Sequence, residues 1–303
     1  MKTLGYCAGI ALALLLLGYA WLWHDNNRQV AALAPATLNS SYENGVRWLL
    51  AHREEILADT NPMLWWMVGE SAQAAGDERL SRLYSQFRAQ YAERYPDSVW
   101  MAMFEPQRFR NAEVAPEIYR PLADYQQYLL YAQLCSRQLS EVPIVMAQSD
   151  VGFCWHGSRL MRPACATHQL MGFRQAQRNR CDVAELPQKI ESLQASIAAL
   201  LNYDPRAVDV YIQRVLMLVE SGAGERVKPR WLQRVVEAQL ADGGWSDMQA
   251  LLPLFGEKQL VFDASGIAIA TPKSNFHATV QGVWLMSLLG ETADVTARAA
   301  ALQ

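Results

Sequence analysis

Apolar residues recur at helical spacing along nearly the whole chain after residue 40, and this periodicity restricts the fold more than any other feature of the sequence. Residues 41–303 divide into about nine or ten helical segments with short connections, which predicts paired antiparallel helices around one core. The exception is 259–271, where Asp263 to Gly266 separates two β-prone arms and predicts a hairpin. We therefore predict an all-α fold with one small β-hairpin. The 303 residues suffice for one large domain, and no shift in composition marks a second one.

Cap and turn residues predict the bounds of the first three of these helices. Ser40 or Ser41 is the predicted cap of a helix that runs to about Leu57. Asn61-Pro62 begins a second helix over Met63–Ala75, and Gly76-Asp77 ends it. A third helix runs from about Glu78 to Tyr95.

The N-terminal segment carries the main indication of cellular location. Residues 5–23 contain no charged side chain, and a helix of this length nearly crosses a hydrocarbon core of about 30 Å. Lys2 precedes the stretch and Asp25 follows it, which predicts that the C-terminal bulk lies outside the cytoplasm. A cleaved signal peptide is the alternative, although the apolar run is longer than the apolar core of an ordinary signal peptide and no convincing cleavage site follows it.

These features predict a single-pass protein of the bacterial inner membrane with its folded part in the periplasm. We expect a transmembrane anchor over 1–23, a tether over 24–40 and a helical domain over 41–303. The membrane is accordingly one predicted partner. The formal net charge of −3 excludes a strongly basic nucleic-acid-binding protein.

Four of the five cysteines lie close together on the predicted oxidising side of the membrane, where disulfides persist. They are Cys135, Cys154, Cys165 and Cys181. Pairing of sequence neighbours, the first with the second and the third with the fourth, closes the shortest loops and is the predicted connectivity. Metal binding is the alternative, because His156 and His168 lie nearby, but the spacing lacks the paired C-x-x-C of zinc sites. We predict no metal and no cofactor.

One motif points to a particular helical architecture. The segment Gln239–Trp245 reads Gln-Leu-Ala-Asp-Gly-Gly-Trp, and Asn275–Thr279 then opens an apolar helix with Asn-Phe-His-Ala-Thr. Gly243 and Gly244 allow a backbone turn with positive φ, and Trp245 can pack between neighbouring helix pairs. These residues resemble a repeat of the α/α-toroid superfamily, which includes squalene–hopene-type cyclases and protein prenyltransferase β-subunits. The resemblance covers about 60 residues near the C-terminus, where the sequence contains one clear copy of the motif.

The resemblance implies a complete or incomplete α/α-toroid, in which an outer helix ends at the Asp-Gly-Gly-Trp turn and an inner helix begins near His277. Residues 157–178 resemble a degenerate second inner helix. The activities of these families are not carried over. The D-x-D-D acid motif of the cyclases is absent, and no Asp-x-Cys zinc motif of the prenyltransferases occurs upstream of His277.

The candidate functional residues follow from this architecture. His277 would face the central cavity at the start of an inner helix and could act as an acid or base. Polysaccharide lyases on related toroids use His, Tyr, Arg and Asn side chains, which suggests a catalytic grouping. That predicted catalytic set is His277, His168, Arg159 and Asn275. The predicted ligand-binding set is Asp242, Trp245, Asp247 and His156. For each of these residues the alternative is a structural role at a helix end or in the core.

Two functions remain open from the sequence. The first is an envelope enzyme that acts on a glycan or another cell-surface polymer. The second is a non-catalytic envelope module that binds a partner protein or ligand through the concave face of the toroid. A deep pocket that brings His277 and His168 within reach of each other would favour the enzyme.

Overall fold

The computed structural model describes residues 2–157, 162–263 and 266–301, with the backbone alone described at 2–8, 11, 15 and 291–301. The described part is mostly helical with one small antiparallel sheet, as the periodicity predicts. Its α-helices are α1 (Lys2–Asn27), α2 (Pro35–Ala51), α3 (Arg53–Ile56), α4 (Pro62–Ala75), α5 (Glu78–Arg94), α6 (Pro116–Tyr119), α7 (Asp124–Leu134), α8 (Arg137–Ser140), α9 (Pro143–Gln148), α10 (Cys165–Arg178), α11 (Leu186–Leu201), α12 (Asp209–Glu220), α13 (Pro229–Glu237) and α14 (Phe276–Ala301). The 3₁₀ turns are Val99–Met103, Phe153–Trp155 and Gly224–Arg226.

Local signals determine where α4 and α5 begin and end. The Asn61 side chain accepts a hydrogen bond from the Met63 amide (3.1 Å), and Pro62 occupies the first helical position. Gly76 ends α4 with a φ of +62°, a conformation that glycine adopts without steric cost. Asp77 then caps α5 by accepting from the Arg79 amide (2.7 Å). Both helices lie within one residue of the segments that the sequence predicts.

The segment between α1 and α2 is shorter than the sequence predicts. Helix α1 runs to Asn27 and α2 begins at Pro35, so only residues 28–34 connect them, where we predict a tether over 24–40. Ser41, which the sequence suggests as a helix cap, is instead buried inside α2.

The end of α1 is fixed to the folded domain by polar contacts. The buried Asn26 side chain donates to the Asp204 carbonyl (3.0 Å), and its own backbone carbonyl accepts from the Trp231 indole (3.0 Å). Arg230 forms an ion pair with Asp25 (3.0 Å). The domain therefore holds the end of α1 directly.

None of the helices is both long and apolar enough to cross a membrane over the residues that the structure describes in full. The predicted anchor, residues 1–23, includes residues 1–8, 11 and 15, whose side chains lie outside that part of the chain. The anchor therefore stays a prediction.

Five helices form a closed circuit of contacts. Helix α4 packs on α14, α14 on α12, α12 on α10 and α10 on α7, and the 3₁₀ turn Val99–Met103 contacts both α7 and α4. Other helices pack against single members of this circuit: α2 on α14, α5 on α4 and α9 on α7, while α11 packs on both α10 and α12. The members of the circuit are far apart in the chain, so its closure depends on tertiary packing.

The Asp-Gly-Gly-Trp turn joins three helices. Trp245 is fully buried, and its indole donates to the Val235 carbonyl at the end of α13 (2.8 Å). A Cβ at Gly282 of α14 would lie 2.7 Å from the indole, and one at Gly45 of α2 would lie 3.0 Å from it. Gly243 has a φ of +95° and permits the reversal that brings Trp245 between these helices.

The small sheet has three antiparallel strands in chain order, β1 (Gln249–Pro253), β2 (Gln259–Asp263) and β3 (Gly266–Ala270). The β2–β3 hairpin confirms the predicted one. Strand β1 is additional to it. Proline is disfavoured in strands because it lacks an amide donor. Pro253 is tolerated in β1 because this strand lies at the edge of the sheet.

All four cysteines that the sequence predicts to form disulfides are oxidised, but the predicted connectivity is wrong. The bonds are Cys135–Cys181 and Cys154–Cys165, with Cα separations of 4.9 and 5.6 Å. Helix α10 packs against α7, so the residue after the end of α7 meets the segment that follows α10. The predicted connectivity depends on loop length alone and takes no account of the packing between α7 and α10.

The two disulfides should stabilise the fold unequally. Replacing Cys135 and Cys181 together by serine should lower the free energy of unfolding by about 4 kcal/mol, against about 3 kcal/mol for Cys154 and Cys165, because the first bond closes the longer loop. Urea unfolding of protein made in an oxidising compartment measures the difference. Peptide mapping that joined Cys135 to Cys154 would contradict the assignment.

Gly282→Ala should lower the free energy of unfolding by about 1–3 kcal/mol, because the added methyl group overlaps the Trp245 indole. Gly224→Ala is the matched control, since a Cβ at that position meets nothing within 4 Å. Urea titration of both variants tests the packing, and equal stability of the two would show that the indole is not confined.

Candidate functional site

A cavity of about 400 Å³ lies where the first residues of the five circuit helices come together. Each helix contributes at least one lining residue from its first five positions. The polar and titratable lining residues are Asp59, Thr60, Asn61, Tyr125, Gln126, His168, Gln213 and His277. The apolar lining residues are Pro62, Met63, Leu64, Met67, Trp100, Leu122, Leu129 and Met171. Both histidines of the predicted catalytic set therefore line the same cavity, although they are more than a hundred residues apart in the chain.

His277 is the second residue of α14, and its side chain is 45% exposed. Gln281, one turn later, donates its amide to Nε2 of the ring (3.0 Å). The neutral ring then carries its proton on Nδ1, which lies 3.7 Å from Oδ2 of Asp209. The imidazole is thus oriented from two sides, by an amide and by a carboxylate.

Asp209 begins α12 and lies behind His277. Burial raises the pKa of its carboxyl group above the usual value, and nearby Asp247 adds to the rise by charge repulsion. His277 and the Val210 amide, which donates to Asp209 Oδ1 (2.6 Å), act in the opposite direction. A buried carboxyl group with a raised pKa beside an imidazole is a candidate for a functional site.

His168 lies in the first turn of α10, opposite this pair. Burial, and secondly the proximity of His277, lower the pKa of its imidazole to about 4. Its ring stacks on Tyr125 of α7, with the centroids 4.1 Å apart. Among the described residues neither ring nitrogen of His168 has a hydrogen-bond partner, so both remain able to meet a bound molecule. The ring is uncharged at neutral pH.

Gln213 of α12 completes the polar part of the cavity. Its amide oxygen accepts from the Thr167 hydroxyl (2.7 Å), and its amide nitrogen has no hydrogen-bond partner within the described part of the chain. Met63, Met67 and Met171 line the apolar side. A cavity with one apolar side and a few oriented polar groups suits an amphipathic small molecule or a sugar residue.

Two other predicted site residues make hydrogen bonds that hold helices and turns. Asn275 accepts from the Ala278 amide (2.8 Å) and so caps α14. Asp242 accepts from the Trp48 indole (3.2 Å) and from the Ser274 hydroxyl (2.6 Å). The structure places both next to the Asp-Gly-Gly-Trp turn and outside the cavity lining.

The remaining predicted residues are dispersed. Trp245 is fully buried between α2, α13 and α14, so its ring offers no surface to a ligand. Asp247 is exposed, and its negative charge helps to raise the pKa of Asp209. His156 is exposed and does not line the cavity. Arg159 lies outside the described residues.

The sequence reasoning misses Asp209, Gln213 and Tyr125. Asp209 and Gln213 share one face of α12 at i, i+4 spacing, a pattern that also fits an ordinary helix surface. Tyr125 begins α7 in a run of aromatic and leucine residues that reads as core. The sequence does contain one indication of a polar site around His277, because Gln281 follows it at the same i, i+4 spacing.

No protein-family model, no curated protein and no solved structure matches this chain.

The low pKa of His168 should be visible in the pH dependence of stability. The unfolded ring, with a pKa near 6.5, takes up a proton more readily than the folded ring, so this contribution is complete above about pH 6.5 and is lost towards pH 4. His168→Gln should remove this part of the loss, whereas His52→Gln, at the end of α2, should keep it. Urea unfolding at pH 7 and pH 4.5 measures both. Equal pH slopes for wild type and His168→Gln would contradict the assignment.

Proposed function

We propose that this chain is a membrane-anchored α/α-toroid enzyme that faces the bacterial periplasm and acts on an envelope glycan or another cell-surface polymer by general acid–base catalysis. The single observation that carries the enzymatic part is that His277, which Asp209 orients, and His168 line one cavity. The uncharged stretch 5–23 and the two disulfides support the location.

The toroid architecture is supported by the closed circuit of α4, α14, α12, α10 and α7. All five helices direct their N-terminal ends at the same cavity. Helix N-termini carry partial positive charge from unpaired backbone amides, and this favours substrate oxygen atoms and negative charge that develops during reaction.

Each side chain has a role in this proposal. His277, oriented by Asp209 and Gln281, transfers a proton to or from the reacting oxygen or carbon of the substrate. His168 is neutral, so it can hydrogen-bond a hydroxyl group without the cost of desolvating a charge. Tyr125, stacked on His168, presents part of its aromatic ring to the apolar side of a sugar.

A binding module without catalysis is the second candidate. The observation in its favour is that both nitrogens of His277 already face protein groups, Gln281 at Nε2 and Asp209 at Nδ1. As a binding module, the chain would hold the same class of polymer in the same cavity without cleaving it.

Incubation of the detergent-solubilised full chain with peptidoglycan and with extracted envelope polysaccharides tests the proposal, with mass spectrometry of the soluble products. His277→Ala should lower product formation by about 100-fold or more, because it removes the proton-transfer group. His168→Ala should weaken it as well. His52→Gln, which lies away from the cavity, should keep wild-type turnover.

The readouts separate the two candidates. Retention of a polymer by wild type, weakened by His277→Ala and without any change in polymer mass, would identify the binding module. No turnover and no retention of any of these polymers would overturn both.

A further inference from the structure

The small sheet has an unusual outward face. The strand pairing places Leu252 opposite Leu260, Leu260 opposite Ile269, and Phe262 opposite Ile267. Residues that are directly opposite share one side of a sheet, so these five side chains form one surface, which we name the apolar sheet face. Its most exposed members are Ile267 (69%), Leu252 (59%) and Ile269 (57%).

This arrangement inverts the usual alternation. A sheet with one face in water normally turns its polar residues outward and its apolar residues to the core. Here Val261, on the opposite side of β2, is the buried residue, and the outward side carries no charge. Phe255 and Leu254, in the connection between β1 and β2, are exposed as well. An exposed apolar surface of this size marks an interaction site.

The apolar sheet face lies close to the end of α1. The Asn26 side chain is bound to the Asp204 carbonyl, and the side chain of Gln249, the first residue of β1, accepts from the Ala207 amide (2.7 Å). Ala207 follows Asp204 by three positions in the chain, a span of at most about 11 Å. The sheet therefore begins beside the point where α1 enters the domain.

The domain also contacts α1 inside its apolar stretch. Tyr203 stacks on Tyr19 with the ring centroids 4.9 Å apart, and Trp21 and Trp23 lie exposed on the same helix. Aromatic rings at the end of an apolar helix prefer the level of the lipid headgroups. The surface formed by residues 202–208 would thus lie at headgroup level, with the sheet next to it.

We infer that the apolar sheet face docks on the surface of the lipid bilayer that holds α1. This inference rests on the membrane anchoring in the proposed function and not on the catalysis. A lipid surface fits because the sheet begins beside the end of α1, whose apolar side chains Leu14, Leu16 and Leu17 are exposed. Lys258 and Lys273, near the sheet, can meet anionic headgroups. Docking would hold the cavity at a fixed height and orientation above the membrane.

Fluorescence quenching by lipids tests this docking in the full chain. A polarity-sensitive dye attached at Ile267→Cys, in a Cys7→Ser background, is compared with the same dye at Ala89→Cys, an exposed position on α5. The protein is reconstituted into phosphatidylcholine–phosphatidylglycerol vesicles that contain lipid-attached spin labels. We expect blue-shifted emission and several-fold stronger quenching at position 267 than at position 89.

A second substitution controls for local effects of the dye. Ile269→Asp should reduce the quenching at position 267 towards the level at position 89, because a carboxylate on the docking face opposes contact with the bilayer. The side chain is exposed, so the thermal unfolding midpoint should not change.

The outcomes distinguish the two proposals. Chain that floats with the vesicles while both dyes are equally unquenched would overturn the docking alone. Blue-shifted emission at position 267 without lipid quenching, rising with protein concentration, would assign the face to a second copy of the chain and also overturn the docking. Failure to float with the vesicles would overturn the membrane anchoring and the docking together, while the glycan assay stays independent.

Discussion

The packing of the Trp245 indole against the Cα atoms of Gly282 and Gly45 is the contact on which the rest of the structure depends. Neither glycine leaves room for a side chain beside the ring, so α2 and α14 approach more closely than larger residues would allow. The positive φ of Gly243 brings the indole into this gap, and the Val235 carbonyl accepts its proton. The backbone amide of Asn275 donates to the Trp245 carbonyl (2.9 Å), and this bond fixes the position at which α14 begins.

This fixed start of α14 determines the chemistry of the cavity. His277 follows two residues after Asn275, and α12 and α10 pack in order beside α14. This packing brings Asp209 to 3.7 Å from His277 and places His168 in the same cavity as His277. Removal from water then acts on the two groups in opposite directions. It lowers the pKa of His168 and raises the pKa of Asp209, so both shifts favour the uncharged form. The site therefore holds an uncharged imidazole and, beside His277, a carboxyl group whose charged form is disfavoured.

A second polar cluster fixes the domain relative to α1. Asp204 is fully buried and bonds Arg206 (2.8 Å) and Arg214, while its backbone carbonyl binds Asn26. Buried charges need partners, so these contacts tie the segment 202–208 to both α1 and α12. The segment carries the end of α1 on one side and the first strand of the sheet on the other. The proposed anchor and the proposed docking face would therefore move as one unit.

The sequence predicts those parts of the molecule that neighbouring residues control. Asn61-Pro62 and Gly76-Asp77 fix helix ends through hydrogen bonds and φ angles within a few residues, and the structure has those ends within one residue. The Asp263 to Gly266 break predicts the β2–β3 hairpin for the same reason. His277 is predicted as a site residue from its position at a helix start, and it lines the cavity.

By itself, the amino-acid sequence determined the helical class, the hairpin, the glycine turn with its buried indole and the oxidised state of four cysteines, because each follows from local backbone preference or from composition. Only the tertiary structure decided which cysteines pair, that Asn275 and Asp242 hold turns, and that Asp209, Tyr125 and Gln213 join the two histidines. Those outcomes depend on which helices and turns pack together, in some cases across more than a hundred residues of chain. The identity of a neighbour in space is a property of the whole packed core, and no short stretch of sequence contains it.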